Sequence, residues 1–143
     1  MPQPLSCPSA QIGMQELRLL GVVEPTPEGP RVAYLNEDVP VTDAVLSQVA
    51  PMEPTRVFRF AAQCEATRCV HFSGERCQLA TRIVQLLPGV VDALPVCLIR
   101  STCRWFYQEG PNACLRCPQV VTEASDASAA YRQVATPQTI KEQ

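Results

Sequence analysis

Residues 97–118 read CLIRSTCRWFYQEGPNACLRCP, a stretch with four cysteines spaced C-x5-C-x10-C-x2-C and a proline after the last of them. Thiolate ligands must bring several sulfurs to one point, and the CxxC unit of residues 114–117 does so over a short distance. The 46% hydrophobic content of the 143-residue chain is enough for a real core, and a metal cluster held here would stabilise the domain further. The function of the chain depends on what these cysteines bind.

A second group of cysteines precedes this stretch and shares its order of parts. In both groups, two cysteines a short gap apart are followed by a pair of rings, a glycine and a further cysteine. The corresponding residues are Cys64, Cys69, His71-Phe72, Gly74 and Cys77 in the first group, and Cys97, Cys103, Trp105-Phe106, Gly110 and Cys114 in the second. The shared order indicates a weak internal repeat built from two similar half-sites.

Seven clustered cysteines are the candidate metal ligands: Cys64, Cys69, Cys77, Cys97, Cys103, Cys114 and Cys117. A single site of four ligands would use the last four, or a mixed set in which Cys69 and Cys77 take part. Two sites would need an eighth ligand from Cys7, His71 or an outside group. Cys7 lies far upstream and is interpreted as a spare thiol, and His71 as a half-buried ring beside Phe72.

Charge is distributed unevenly along the chain, although the net charge is only −2. Residues 1–55 contain two arginines and seven acidic residues, whereas residues 56–117 contain eight arginines and four acidic residues. Four of these arginines adjoin cysteines directly: Arg68, Arg76, Arg104 and Arg116. Because a group held by four thiolates is anionic, these arginines are expected to offset its charge and stabilise the thiolates.

Composition limits the classes of partner and compartment. The near-neutral net charge gives no indication of nucleic-acid binding, and no apolar run approaches the roughly eighteen residues of a membrane span. The first residues lack the pattern of a secretory signal. We therefore expect a cytoplasmic protein, in whose reducing surroundings cysteine patterns more often bind metal or carry redox chemistry than form disulfides.

The run Cys103-x10-Cys114-x2-Cys117-Pro118, with Arg100 just upstream, resembles the C-terminal signature of ferric-siderophore reductases. In that family an adjacent Cys-Cys pair, ten residues and CxxC-Pro hold a [2Fe–2S] cluster. The resemblance implies that Cys103, Cys114 and Cys117 are iron–sulfur ligands. Thr102 stands where the family has its first cysteine, so Cys97 or another thiol would replace it. The match covers about sixteen residues and implies a ligand loop, without siderophore chemistry.

Local patterns predict an α+β fold, a small cysteine-rich single domain stabilised by a metal cluster. Helices are expected over residues 10–20, 41–49 and 77–87, with a further helical turn at 90–94, and short strands over 31–35 and 56–60. We divide the chain into an acidic α/β segment (1–60), a basic cysteine-rich metal-binding region (61–118) and a polar, flexible tail (119–143).

No enzyme motif is present: the sequence lacks GxGxxG, P-loop, HExxH and GxSxG patterns. The cysteine spacing and the arginines favour a small iron–sulfur protein, with one or two clusters of [4Fe–4S] or [2Fe–2S] type. Such a protein would act in electron transfer or redox or iron sensing, with a protein redox or regulatory partner. The alternatives are a zinc-stabilised interaction module without redox chemistry and, third, a disulfide-stapled domain.

Overall fold

A four-stranded antiparallel sheet forms most of the N-terminal half of the chain. The computed structural model describes residues 4–122 and residue 134. The strands are β1 (Ser6–Cys7), β2 (Arg18–Glu24), β3 (Arg31–Pro40) and β4 (Phe58–Gln63), and their order in the sheet is β1-β4-β2-β3. The most N-terminal strand therefore pairs with the strand that leads directly into the cysteine-rich region.

Short helices and one small hairpin complete the fold. The helices are α1 (Asp43–Ser47), α2 (Pro54–Val57), α3 (Gln78–Leu86), α4 (Arg104–Glu109) and α5 (Pro111–Arg116). The hairpin consists of β5 (Phe72–Ser73) and β6 (Arg76–Cys77), and single 3-10 turns occur at Ala66–Arg68, Arg100–Thr102 and Cys117–Gln119. This combination of helices and antiparallel strands confirms the predicted α+β class.

The two faces of the sheet pack against different parts of the chain. Along β4, Phe58 and Phe60 belong to one apolar cluster, which includes residues of the α1 region. Ala61 points to the opposite face, where it joins a second cluster with Trp105 and the helices α3 to α5. Since successive side chains of a strand alternate between faces, Arg59 lies on the face of the cysteine-bearing helices.

Several local predictions are confirmed. The predicted helix at 41–49 is α1, and the Thr42 hydroxyl caps it by accepting a hydrogen bond from the Val45 amide at 3.2 Å. The helix predicted over 77–87 is α3, and the strand predicted at 31–35 is present and extends to Pro40 as β3. The second predicted strand is shifted towards the C-terminus, because Pro54–Val57 forms a helical turn before β4 begins.

The predicted helix over residues 10–20 is wrong, because Arg18–Glu24 is a strand paired on both sides. Leu19 and Leu20 are buried on opposite faces of the sheet, in two different apolar clusters. A strand can bury two consecutive side chains in this way because they point to opposite faces. Gly21 is needed for close packing rather than for ending a helix. A Cβ atom there would lie 2.7 Å from the Ala33 carbonyl oxygen, a distance that real side chains do not adopt.

The helical turn predicted at 90–94 is also wrong, since this segment is irregular. The Val90 amide donates to the Leu115 carbonyl oxygen at 2.8 Å, so its hydrogen bond goes to α5 instead of to a local turn. The predicted flexible tail lies largely outside the described residues. At its start, Val120 and Val121 are buried in the domain.

Candidate metal centres

The four cysteines of residues 97–118 line a single cavity in the structure. These are Cys97, Cys103, Cys114 and Cys117, here called the C-terminal quartet. Cys103 directly precedes α4, Cys114 lies within α5, and Cys117 follows α5 at once. Cys97 lies outside helices and strands, in the segment that leads to the 3-10 turn at Arg100–Thr102. The structure thus brings together the set that the spacing indicated, including Cys97.

Two hydrogen-bond donors at the same cavity have no nitrogen or oxygen acceptor in the described part of the chain. They are the hydroxyl of Tyr34, on β3, which lies against the Cys117 sulfur, and Nε of Arg100; both are buried, and both residues line the cavity. Burial, reinforced by nearby Cys117, raises the pKa of Tyr34 far above its usual value, so the phenol keeps its proton. Buried polar groups are nearly always paired, so these two indicate an acceptor within the cavity.

A fully buried arginine contacts the C-terminal quartet from the sheet. Arg59, on β4, is 0% exposed, and one of its nitrogens donates to Cys117 Sγ at 2.8 Å. Its guanidinium also donates to the carbonyl oxygens of Cys117 at 3.0 Å and Val120 at 2.8 Å. Its Cζ atom lies 5.4 Å from the centroid of the Trp105 ring. A buried cation in contact with a cysteine sulfur favours an anionic group at that sulfur.

The space inside the C-terminal quartet is small, about 20 Å³, which is roughly the room of one water molecule. Within residues 4–122 and residue 134, no group of three or more His, Cys, Asp or Glu side chains has the arrangement that holds a single metal ion. Four thiols are by their chemistry a suitable donor set for a thiolate-held group, but the cavity has to widen to take a cluster. The irregular segment carrying Cys97 is the wall least fixed by secondary structure.

The remaining four cysteines line a second cavity. Cys7, Cys64, Cys69 and Cys77, here called the N-terminal quartet, surround a space of about 480 Å³. Arg68, Arg104, His71 and Phe72 also contribute to its wall. Each of the eight cysteines is a free thiol in the structure. The eight thiols are thus divided into two sets of four, rather than mixed across the repeat.

Cys7, which the sequence alone suggests is a spare thiol, belongs to the N-terminal quartet. It lies on β1, opposite Ala62 of β4, and the Cys64 amide donates to the Leu5 carbonyl oxygen at 2.8 Å. Strand pairing therefore brings Cys7 next to Cys64, which follows β4 almost directly. The one signal in the sequence was the count of eight cysteines, which equals two complete sets of four ligands.

The electrostatics of the thiols follow the same division. Burial raises the pKa of Cys7 and of Cys103 to about 12, and it also raises the pKa values of Cys77 and Cys97. For each of these four, the other thiols that raise its pKa belong to its own quartet. Without a bound cation these thiols stay protonated at neutral pH, so metal binding must displace their protons.

Most of the arginines that contact a cysteine sulfur or another group could not be assigned from their position next to a cysteine in the sequence. Arg76 forms a salt bridge with Glu109 at 2.9 Å, and Arg116 donates to the Leu87 carbonyl oxygen at 2.7 Å. Arg104 does reach a sulfur, but that of Cys64 in the other quartet, at 3.1 Å. Arg59, which adjoins no cysteine in the sequence, is the arginine in contact with Cys117.

His71 lies at the wall of the N-terminal quartet with one ring nitrogen already engaged. Arg82 donates to His71 Nδ1 at 2.9 Å, which places the proton of the neutral ring on Nε2. Burial and the Arg82 charge lower the pKa of His71, so the ring is neutral at pH 7. This agrees with the interpretation of His71 as a half-buried ring.

None of the helices among the described residues is long and apolar enough to cross a membrane. The resemblance to ferric-siderophore reductases stays a prediction, limited to the ligand spacing of residues 103–118. No protein-family model, no curated protein and no solved structure matches the chain, so the two quartets have to be interpreted from their own chemistry.

Proposed function

We propose that the chain is a small cytoplasmic iron–sulfur protein, with a cluster held by the C-terminal quartet, that passes single electrons between protein partners. The observation that carries the proposal is the convergence on one cavity of four thiols and two buried donors that lack a nitrogen or oxygen acceptor among the described residues. Tyr34 and Arg100 supply those donors, and Arg59 supplies a buried positive charge at Cys117.

These groups favour a cluster over zinc for a specific reason. An iron–sulfur cluster contributes inorganic sulfides, which accept hydrogen bonds, whereas a zinc ion contributes no acceptor of its own. The Tyr34 hydroxyl lies against Cys117 at the cavity, and apart from that sulfur it meets no acceptor among the described groups. A sulfide in the cavity would satisfy this hydroxyl, Arg100 Nε, or both. The cluster, when bound, supplies a one-electron couple, and the protein supplies ligands, donors and exclusion of water.

The surroundings of the C-terminal quartet suit electron transfer better than catalysis. Four cysteines complete the usual ligand set of a cluster, which leaves no iron open to a substrate. Trp105 is buried at the cavity wall, and the ring of Phe106 also lines it. Val96 and Tyr107, each next in the chain to a cavity residue, are 72% and 77% exposed. They offer an apolar surface close to the site for a protein that donates an electron and another that accepts it.

The elemental composition of anaerobically purified protein tests the proposal. We expect a brown protein with broad absorption near 400 nm that contains iron and acid-labile sulfide in equal amounts, and whose visible absorption bleaches when a chemical reductant is added. Colourless protein with stoichiometric zinc would overturn the proposal in favour of a zinc-stabilised module. Counting thiols in denatured, unreduced protein separates both results from a disulfide-stapled domain.

Replacing Tyr34 by phenylalanine is expected to lower the reduction potential of the cluster. A hydrogen bond to a cluster sulfide or ligand sulfur stabilises the reduced, more negative state, so its loss makes reduction harder. One bond of about 1 kcal/mol corresponds to roughly 40 mV for a one-electron couple. Potentiometric titration of both proteins measures the shift, and Tyr107→Phe, at an exposed position, is the matched control. Equal potentials in wild type and Tyr34→Phe would contradict the assignment of the hydroxyl as a donor to the cluster.

A further inference from the structure

We infer that the N-terminal quartet is a second iron–sulfur site with Cys7 as its fourth ligand, so that the chain holds two clusters. This inference deepens the proposed function and rests on it for the class of metal group. It does not depend on the C-terminal quartet, because the two sets of ligands share no residue.

The position of Cys7 is fixed by the sheet. Ser6 pairs with Gln63 and Cys7 with Ala62, and the Ser6 hydroxyl lies 3.0 Å from the Thr102 hydroxyl on its other side. Ser6 also forms an isolated bridge with Cys103. β1 therefore runs between the two cysteine groups, with one of its two residues bound to the C-terminal group and the other, Cys7, at the N-terminal cavity.

Backbone amides point at the sulfurs of this quartet. The Ala66 amide donates to Cys64 Sγ and the His71 amide to Cys69 Sγ, each at 3.4 Å. Ala66 adopts a left-handed φ of 51°, an unfavourable conformation for alanine that lets the chain curve around the Cys64 sulfur. Cys77 directly precedes the nine-residue helix α3, so its side chain lies at the end of the helix where the first backbone amides are free. Such amides stabilise thiolates, the form that binds iron.

Positive charge is also present at the second cavity. Arg104 Nε donates to Cys64 Sγ at 3.1 Å, and its guanidinium carbon lies 4.9 Å from the centroid of the Phe72 ring, which holds it in place. Arg68 lines the same cavity. Four thiolates and a cluster carry net negative charge, and cations in contact with the sulfurs reduce the cost of placing that charge inside the domain.

The size of the cavity favours a cluster over a single ion. The four thiols line a cavity of about 480 Å³, which is far larger than one metal ion. Trp105, which is 2% exposed, lines this cavity and also that of the C-terminal quartet. The two sites therefore share an indole as a common wall, and two clusters on either side of it would be close enough to interact magnetically.

Native mass spectrometry of the anaerobically reconstituted full chain tests the inference without any variant. The expected spectrum contains a chain carrying two iron–sulfur clusters. After chemical reduction, the electron paramagnetic resonance spectrum should show splitting or broadening from two interacting spins. A chain that never binds more than one cluster, with a simple spectrum of isolated spins, would overturn the inference.

Variants then identify the ligands. Cys7→Ala and Cys77→Ala should each lower the iron content by about half and restore an isolated-spin spectrum, while Ser9→Ala, in the same cavity wall, should keep both clusters. Full iron in both cysteine variants would contradict the assignment. Suppose that the protein binds one cluster only. If that cluster is lost in Cys114→Ala and kept in Cys7→Ala, the inference of a second site fails and the proposed function stands. If it is lost in Cys7→Ala and kept in Cys114→Ala, the cluster lies in the N-terminal quartet and the proposed C-terminal site fails.

Discussion

Cys114→Ala and Cys117→Ala are each expected to remove the cluster of the C-terminal quartet, seen as loss of its iron and its visible absorption. With a cluster in both quartets, this is about half of the total iron. The two cysteines belong to one CxxC unit around the end of α5, and both line the cavity with Cys97 and Cys103. With three thiolates left, a cluster would lack a protein ligand for one iron, and Cys117→Ala would also remove the sulfur that Arg59 contacts.

The control for these variants lies on the same helix. Asn112 is exposed on α5, and Asn112→Ala removes a side chain of similar size without touching the cavity, so it should retain wild-type iron. Iron and sulfide analysis after anaerobic reconstitution gives the comparison, and far-ultraviolet circular dichroism shows whether each variant is folded. Wild-type iron in both cysteine variants would rule out the C-terminal quartet as a cluster site.

Short-range patterns predicted the elements whose stability is local. α1 was predictable from the Thr42 cap, and α3 from apolar residues at helical spacing followed by Pro88-Gly89. Residues 18–20 were misassigned because Leu19 and Leu20 satisfy a helical spacing as well as a strand does. These residues form the strand β2 because they pair with β3 and β4, which lie further along the chain and are not visible in a local pattern.

The candidate ligands show the same limit. The spacing of residues 97–117 was sufficient to indicate the C-terminal quartet, because these cysteines are close in the chain. Cys7 could be placed only through the pairing of β1 with β4. The roles of Arg59 and Arg104 depend likewise on contacts over long sequence separations, whereas Arg76 and Arg116, beside cysteines in the sequence, bind other groups.

Arg59→Met should destabilise the protein strongly, whether or not a cluster is bound. Methionine fills much of the same volume but donates no hydrogen bonds, so the buried Val120 carbonyl oxygen loses its bond from Arg59, and the Cys117 carbonyl oxygen keeps only its bond from the Val120 amide. Losing hydrogen bonds donated by a buried charged group is expected to cost about 1.5–3 kcal/mol. For a chain of this length, that corresponds to a Tm lowered by roughly 5–10 °C.

Two further substitutions separate the hydrogen bonds of Arg59 from its charge. Arg59→Lys keeps a cation beside Cys117 but cannot reach several acceptors at once, so its Tm should fall between those of Arg59→Met and wild type. Arg18→Met removes a surface salt bridge with Asp38 on the neighbouring strand, which is worth no more than about 1 kcal/mol. Thermal unfolding followed by circular dichroism, on cluster-loaded and metal-free protein, gives the ranking. If the decrease in Tm for Arg59→Met is no larger than that for Arg18→Met, the interior tolerates the loss of this cation. A thiolate at Cys117 would then need its compensating charge from another group.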